Sequence, residues 1–456
     1  MKIAIVSSYA VEGETGTAKV SERLIRQLSK KHQVLYLCLG KKYELEKINP
    51  NLSCLKIPSV VFSDLWVPKI TPGVKKKVFK DLTDFSPNIV HAQNVVFPGL
   101  LALIWAKENN IPFALTFHSL PSEGIRYIFP RLKKDKVVSA IDYSLSVSYI
   151  KRFINQASLV IGLNSAVAES INKIQKNKKV KIIRNGLDLE SFYELKSTPP
   201  SKTINFLFLG SYIGRKNQEF LIKVFSYLPN NYRLDLYGNL TSGQLYVKKL
   251  NQIIKKRKIN NVIINGFIKA PEVRKALQRA SYFVSASLKE AQSVVIVESL
   301  ASGVPVIALE NETITELVDN KNGLSLHQKT KPKDFAKKLV KFVEETTPSY
   351  SEISNYCRKN VREFDISLTS EEVVKTYKSV IYEKLPKKTK KENKISNQVY
   401  KLIPKQAKKL FEEKVSKKLK KNKPSHLKLL LSLTFFFSVV VSAIAFIASF
   451  IRKKER

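Results

Sequence analysis

The chain has 456 residues, enough for two or three packed domains, and 44% of them are hydrophobic, which excludes a largely disordered protein. Its 79 Lys and Arg stand against 38 Asp and Glu, a formal charge of +41, so it suits an anionic partner: nucleic acid, anionic lipid or a phosphorylated substrate. Cys38, Cys54 and Cys357 are too widely spaced for a disulfide framework or a metal motif, and the five histidines form no ligand pair; a reduced compartment and no structural metal are expected.

The first elements alternate. Residues 2–8, KIAIVSS, read as a short strand, and the early break into Ser and Gly is not that of a secretory signal. GTAKVSERLIRQLSKK follows with helical spacing at Val20, Leu24 and Leu28. QVLYLCL is a second strand and NIVHAQ (88–93) another, followed by an apolar helix from Phe97 to Lys107. PFALTFHSLP (112–121) is a strand with a polar exit, ASLVIGLNS (157–165) a strand, AVAESINKI a helix, and KVKIIRNGLD (179–188) closes this half. Such alternation predicts a parallel sheet with helices on both faces.

LKSTPPSK (195–202) reads as a linker, and the pattern restarts. INFLFLGS, YRLDLYG, NVIINGF, SYFVSAS and PVIAL read as strands; NQEFLIKVFSYL, APEVRKALQRA and AQSVVIVESLASG read as helices. Two doubly wound, Rossmann-like α/β domains facing a cleft are the expected fold, with ligands bound at the carboxyl ends of the strands. The expected division is 1–186, 187–366, and a helix over 367–386 that returns to the first domain.

Beyond it, residues 387–428 carry 16 Lys against 3 Glu, as a solvated linker or a helix lying on an anionic leaflet. Residues 429–451 are 23 in a row without a charge, and roughly 20 cross a bilayer. A single-pass transmembrane helix is expected there. The excess of positive charge before it predicts cytoplasmic folded domains.

Glu290 and Glu298 bracket a nearly unbroken apolar run. Glu290 falls at a strand exit, in the cleft, and a helix begins just after it. The unpaired N–H groups at its start, around Ser293 and Val294, form an anion site. One carboxylate at the mouth, another along the helix and free N–H groups between them suit a sugar nucleotide.

These residues carry a resemblance. Glu290, Glu298 and the following ASGVPV resemble the Glu-x7-Glu and Ala-x-Gly-x-Pro-Val signature of glycosyltransferase family 4, retaining nucleotide-sugar enzymes of the GT-B fold. NIVHAQ, IIRNGLDLESF and ELVDNKNGL resemble further family segments, in family order, so the likeness extends over roughly residues 1–385. In GSYIGRKN, Gly210 and Lys216 match the family's diphosphate-binding stretch; Ser211 stands where the family has an arginine, and Arg215 is placed to supply the second charge. Gly16 matches the glycine loop at the first helix and His118 a histidine beside the reacting carbon. After Glu290 the chain reads AQS where the family often has Gly-Phe-Gly, and ENETITE replaces a Gly-Gly-x-x-Glu loop.

The resemblance implies an acceptor-side first domain and a nucleotide-sugar-binding second domain. It implies transfer of a sugar from a nucleoside diphosphate to a hydroxyl, with no cofactor and no metal. His118, Arg215, Lys216 and Glu290 are the expected catalytic residues; Gly16, Gly210, Ser293, Val294 and Glu298 the expected donor-binding ones. A membrane anchor points to a lipid-linked or cell-envelope glycan acceptor. The competing reading, from charge alone, is a membrane-anchored polyanion or nucleic-acid binder without catalytic activity. The lysines lack aromatic interleaving, so nucleic acid is not expected as a partner; salt-dependent oligonucleotide binding would favour it.

Overall fold

The computed structural model describes residues 1–8, 16–62, 65–95, 97–120, 147–241 and 243–382. The basic stretch 387–428 and the apolar span 429–451 lie outside them.

The first half is built from β1 (Lys2–Val6), α1 (Gly16–Ser29), β2 (Gln33–Gly40), β3 (Glu44–Asn49), β4 (Leu52–Phe62), β5 (Leu65–Pro68), α2 (Pro72–Phe85), β6 (Ile89–Ala92), α3 (Phe97–Glu108), β7 (Phe113–Phe117), β8 (Leu159–Gly162), α4 (Ser165–Ile174) and β9 (Val180–Ile182). Its sheet runs β3-β4-β2-β1-β6-β7-β8-β9, with β5 paired to β4. The pairings of β3 and β5 with β4 are antiparallel and the rest parallel. The period of two decides the layering: Ala4 and Val6 of β1 face the core under α2 and α3, while Ile3 and Ile5 face the opposite core. Local chemistry sets the helix starts. Thr71 caps α2 by accepting from the Val74 N–H, with Pro72 at the first position, and Asn164 caps α4 through the Val167 N–H.

The second half comprises β10 (Ile204–Leu209), α5 (Gln218–Phe225), β11 (Tyr232–Tyr237), α6 (Gln244–Arg257), β12 (Val262–Asn265), α7 (Ala270–Arg279), β13 (Tyr282–Ser285), α8 (Val294–Ala301), β14 (Val306–Leu309), β15 (Gly323–Leu326), α9 (Pro332–Thr346) and α10 (Tyr350–Asn360). Its six strands are all parallel, ordered β12-β11-β10-β13-β14-β15, the doubly wound arrangement. Phe206 and Phe208 of β10 pack on one face, Leu207 and Leu209 on the other, where they meet Ile296, Val297 and Leu300 of α8. Gly303, with φ +74°, takes the left-handed turn that ends α8.

The chain then returns. In α11 (Ile366–Tyr382), Val373, Tyr377 and Val380 are buried against Ile3, Ile5 and Ile25 of the first half. The outgoing and returning crossings lie side by side: the Leu187 N–H donates to Phe364 O at 2.7 Å, and the Ile366 N–H to Leu187 O at 2.9 Å. Gly186 sits at this double crossing. A Cβ built on it would lie 2.2 Å from Thr369 Oγ1 and 2.7 Å from the Cα of Ile366, so glycine is required by close packing.

Candidate active site

The segment between β13 and α8 carries Glu290, and the helix carries Glu298 about one turn from its start. α8 is buried almost all round, which explains the apolar run between the two carboxylates. Both carboxylates are themselves buried, Glu290 at 9% and Glu298 at 7% exposure, so each requires a partner.

Glu290 has two cationic partners. Lys216 Nζ donates to its Oε1 at 2.5 Å, and Arg215 Nη1 lies 3.3 Å from Oε2. Burial alone raises the Glu290 pKa, but the charges of Lys216 and then Arg215 outweigh it, and the net direction is below the ordinary 4.5. Both cations stand on the 3₁₀ turn Gly214–Lys216 that follows β10. A Cβ on Gly210 would crowd Phe208, at 3.2 Å from its ring, and meet the Lys216 Cε at an ordinary contact of 3.6 Å. Arg215 also donates to Lys289 O at 2.6 Å.

At the helix start, the Ser293 N–H is held by Thr313 Oγ1 at 3.0 Å, which withdraws it from the expected anion site. The N–H groups of Val294 and Val295 come next, ahead of any intrahelical acceptor. The Glu290 N–H in turn donates to Glu312 Oε2 at 3.0 Å.

The first half grips this same segment from three elements. Asn164 Nδ2 donates to Ala291 O at 2.6 Å. Gln292 reads the backbone of Asn185 in both directions, accepting from its N–H at 2.9 Å and donating to its carbonyl at 3.2 Å. Arg23 Nη2 of α1 donates to Glu298 Oε1 at 2.8 Å. Arg23, Asn164, Asn185, Gln292, Glu312 and Thr313 were not singled out from sequence. Asn164 left a signal in the cap position of LNSA, while Asn185, Gln292, Glu312 and Thr313 lay in segments noted only for their likeness to or departure from the family pattern.

His118 is half-buried just beyond β7 and lines a cavity with Asn185, the residue that Gln292 binds. Its Nε2 pairs with Gln93 Oε1 at 2.7 Å, while Nδ1 is buried without a partner among the described residues. Behind it, Gln93 Nε2 reaches the fully buried His91, whose Nε2 pairs with Thr116 Oγ1 at 2.7 Å and whose Nδ1 meets the Tyr377 hydroxyl of α11. Burial pushes His118 down to about 4 and His91 to about 3, so both rings are neutral at pH 7. Gly16 opens α1, and a Cβ there would meet nothing within 4 Å among the described residues. Among the described residues no cluster of three His, Cys, Asp or Glu is arranged for a metal.

Comparison with known proteins agrees with this architecture. Residues 15–191 match the description "Glycosyltransferase Family 4" and residues 192–364 match "Glycosyl transferases group 1". The alpha-monoglucosyldiacylglycerol synthase of Streptococcus pneumoniae is 22% identical over 339 residues, spanning 70% of this chain and 74% of that protein. Sucrose-phosphate synthase from Thermosynechococcus elongatus superposes with a TM-score of 0.67 at 15% identity, covering 83% of this chain and 99% of that one. Anabaena HepE, solved with UDP and glucose, superposes with a TM-score of 0.64 at 18% identity, covering 83% and 100%. The matched segments run without a break across both halves and through every carboxylate and cation of the cleft, and the chain accordingly belongs to glycosyltransferase family 4, as a nucleotide-sugar-dependent glycosyltransferase with the two-domain GT-B fold.

Proposed function

We propose that the enzyme transfers a sugar, with retention of anomeric configuration, onto a hydroxyl of a lipid-linked or cell-envelope glycan acceptor. The observation that carries this reading is the convergence of Lys216 and Arg215 on the buried Glu290 beside the start of α8. As the nucleoside diphosphate leaves, negative charge grows on its oxygens and positive charge on the sugar. Lys216, Arg215 and the Val294 N–H offset the former where charge develops. Glu290 accepts from sugar hydroxyls, and Oε2 of Glu298 accepts from the ribose. The leaving phosphate takes the acceptor's proton, so no side-chain base is required. On this reading the two cations supply the charge compensation, and the reaction proceeds without a divalent metal. His118, held by Gln93, faces the reacting carbon, while Gly16 and Gly210 let backbone approach the donor. The first half receives the acceptor and the second the nucleotide.

The lipid acceptor is supported by a relative named for making alpha-monoglucosyldiacylglycerol, and by the apolar run 429–451 with its basic approach. We assign that run as a single membrane pass, with the catalytic halves on the cytoplasmic side and residues 387–428 against an anionic leaflet.

Replacing Glu298 by Ala is expected to weaken nucleotide binding by about 10- to 100-fold, since a charged acceptor contributes ~1.5–3 kcal/mol per hydrogen bond. Calorimetric titration with UDP reads it, and an unchanged Kd would remove Glu298 from the site. Deleting residues 427–456 should move the protein from the membrane to the soluble fraction and preserve turnover on a water-soluble acceptor. Retention in membranes washed with high salt, which releases a basic segment held by charge alone, would argue against the single pass.

A further inference from the structure

Arg23 lies two turns into α1, in the first half, yet its Nη2 holds a carboxylate of the second half, Glu298 Oε1, at 2.8 Å. Its other terminal nitrogen, Nη1, is buried and has no hydrogen-bond partner among the described residues. The side chain as a whole is 23% exposed, so the guanidinium is largely withdrawn from water with one arm unsatisfied. A cationic N–H in that condition is costly unless an acceptor reaches it, and the planar fork matches the paired oxygens of a phosphate.

A second observation points the same way. The segment after β10 supplies Lys216 and Arg215, but both are engaged by Glu290, and Arg215 also by Lys289 O. Ser211, where the family resemblance leads one to expect an arginine, offers no charge. Glu290 thus offsets part of the charge that Lys216 and Arg215 present to the diphosphate, and a further cation would add to it. Asn164 and Asn185 fasten the first half onto residues 291 and 292, which keeps Arg23 on the segment that leads from Glu290 to Glu298.

We propose that Arg23 is a donor-binding residue contributed by the first half. Its Nη2 orients Glu298, and its Nη1 donates to a phosphate oxygen of the nucleotide. The proposal rests on the reading of Glu298 as the ribose acceptor. It makes donor binding depend on both halves at once, because one ligand then bridges a cation on α1 and a carboxylate on α8.

The test uses the full chain in detergent, titrated with uridine, UMP and UDP, with the guanosine and adenosine series in parallel to find the base that the wild type binds. Arg23→Ala should weaken the mono- and diphosphate by about 10-fold or more and the nucleoside by less than about 3-fold, as expected for a lost charge-assisted contact to phosphate. Arg23→Lys, which keeps the charge but not the fork, should recover part of the loss. An equal loss for nucleoside and nucleotides would overturn the phosphate contact and leave Arg23 a support for Glu298. Unchanged or tighter diphosphate binding would also overturn it, since Arg23 would then be a latch that the donor displaces. Glu298→Gln separates the underlying reading: it should weaken the nucleoside, and if it does not, Glu298 is not the ribose acceptor, whatever Arg23 does. If the wild type binds no series, the donor site is misassigned and this proposal falls with it.

Discussion

Replacing Lys216 by Ala should lower kcat by on the order of 10²- to 10³-fold while changing the donor KM only a few-fold, the size of effect seen when one preorganised charge stabiliser is removed. The reasoning starts from Glu290. Its carboxylate is buried, and Lys216 is its nearest cation at 2.5 Å, with Arg215 at 3.3 Å. A lysine in that position is already oriented before the donor arrives, so little reorganisation is required as the diphosphate leaves. Charge on the leaving oxygens is greater in the transition state than in the bound donor, so the loss falls on turnover. The variant has a second signature. Glu290 loses the largest of the charges that hold its pKa below 4.5, and burial then dominates and moves it up. Glu290 must be ionised to accept from the sugar, so the acid limb of the pH profile should move to higher pH. The same sign governs stability. With its pKa lowered in the fold, Glu290 stabilises the protein above its unfolded value, and that contribution is lost as pH falls. Steady-state rates across pH, with release of nucleoside diphosphate as the signal, decide the matter. A proportional rise in KM with kcat intact would make Lys216 a ground-state binder.

Gly186→Ala should be strongly destabilising although it adds a single methyl. The new Cβ would stand 2.2 Å from Thr369 Oγ1, 2.6 Å from Ile366 Cδ1 and 2.7 Å from Ile366 Cα. The threonine can turn away, but the backbone of Ile366 is pinned by its hydrogen bond to Leu187 O. Overpacking of this kind costs about 1–3 kcal/mol or more, which for domains of this size lowers Tm by several degrees, at ~2–4 °C per kcal/mol. Gly16→Ala is the matched control, because no described residue lies within 4 Å of its Cβ and it opens a helix. Its Tm should hold or rise slightly. Thermal unfolding of the two variants side by side reads the difference, and equal Tm values would mean that the crossing yields at little cost.

The two halves were legible in the sequence because their strands obey simple patterns. Runs such as INFLFL and IAIV alternate between two apolar faces, both of which the fold covers. The region 41–87 was not. β3 reads ELEKIN and five of its six residues are exposed, so as an edge strand it presents charge to water and carries no apolar period. α2, with three consecutive lysines, hides its core residues Val78 and Leu82 in the same way. At the site, the spacing of Glu290 and Glu298 and the position of Lys216 could be read directly. Their pairing could not, because Lys216 reaches Glu290 across 74 positions of chain. Arg23 is one cation among 79 in the sequence and belongs to no motif; only the docking of α1 against α8 distinguishes it. Gln292 was visible only as a departure from Gly-Phe-Gly. In the fold it replaces backbone freedom with a side chain that reads Asn185.

The return of α11 to the first half also sets an order of assembly. The apolar face formed by Ile3, Ile5, Val34 and Ile161 is closed by Val373, Tyr377 and Val380, which lie at the far end of the described fold. During synthesis the ribosome must therefore produce the whole second half before that face can be sealed. Until then a nascent first half carries an open hydrophobic strip and a His91 that lacks the Tyr377 hydroxyl. Domain-by-domain folding on the ribosome is the usual route for a chain of this length. Here the first domain to emerge is the last to be finished, because its apolar face closes only when α11 has been made.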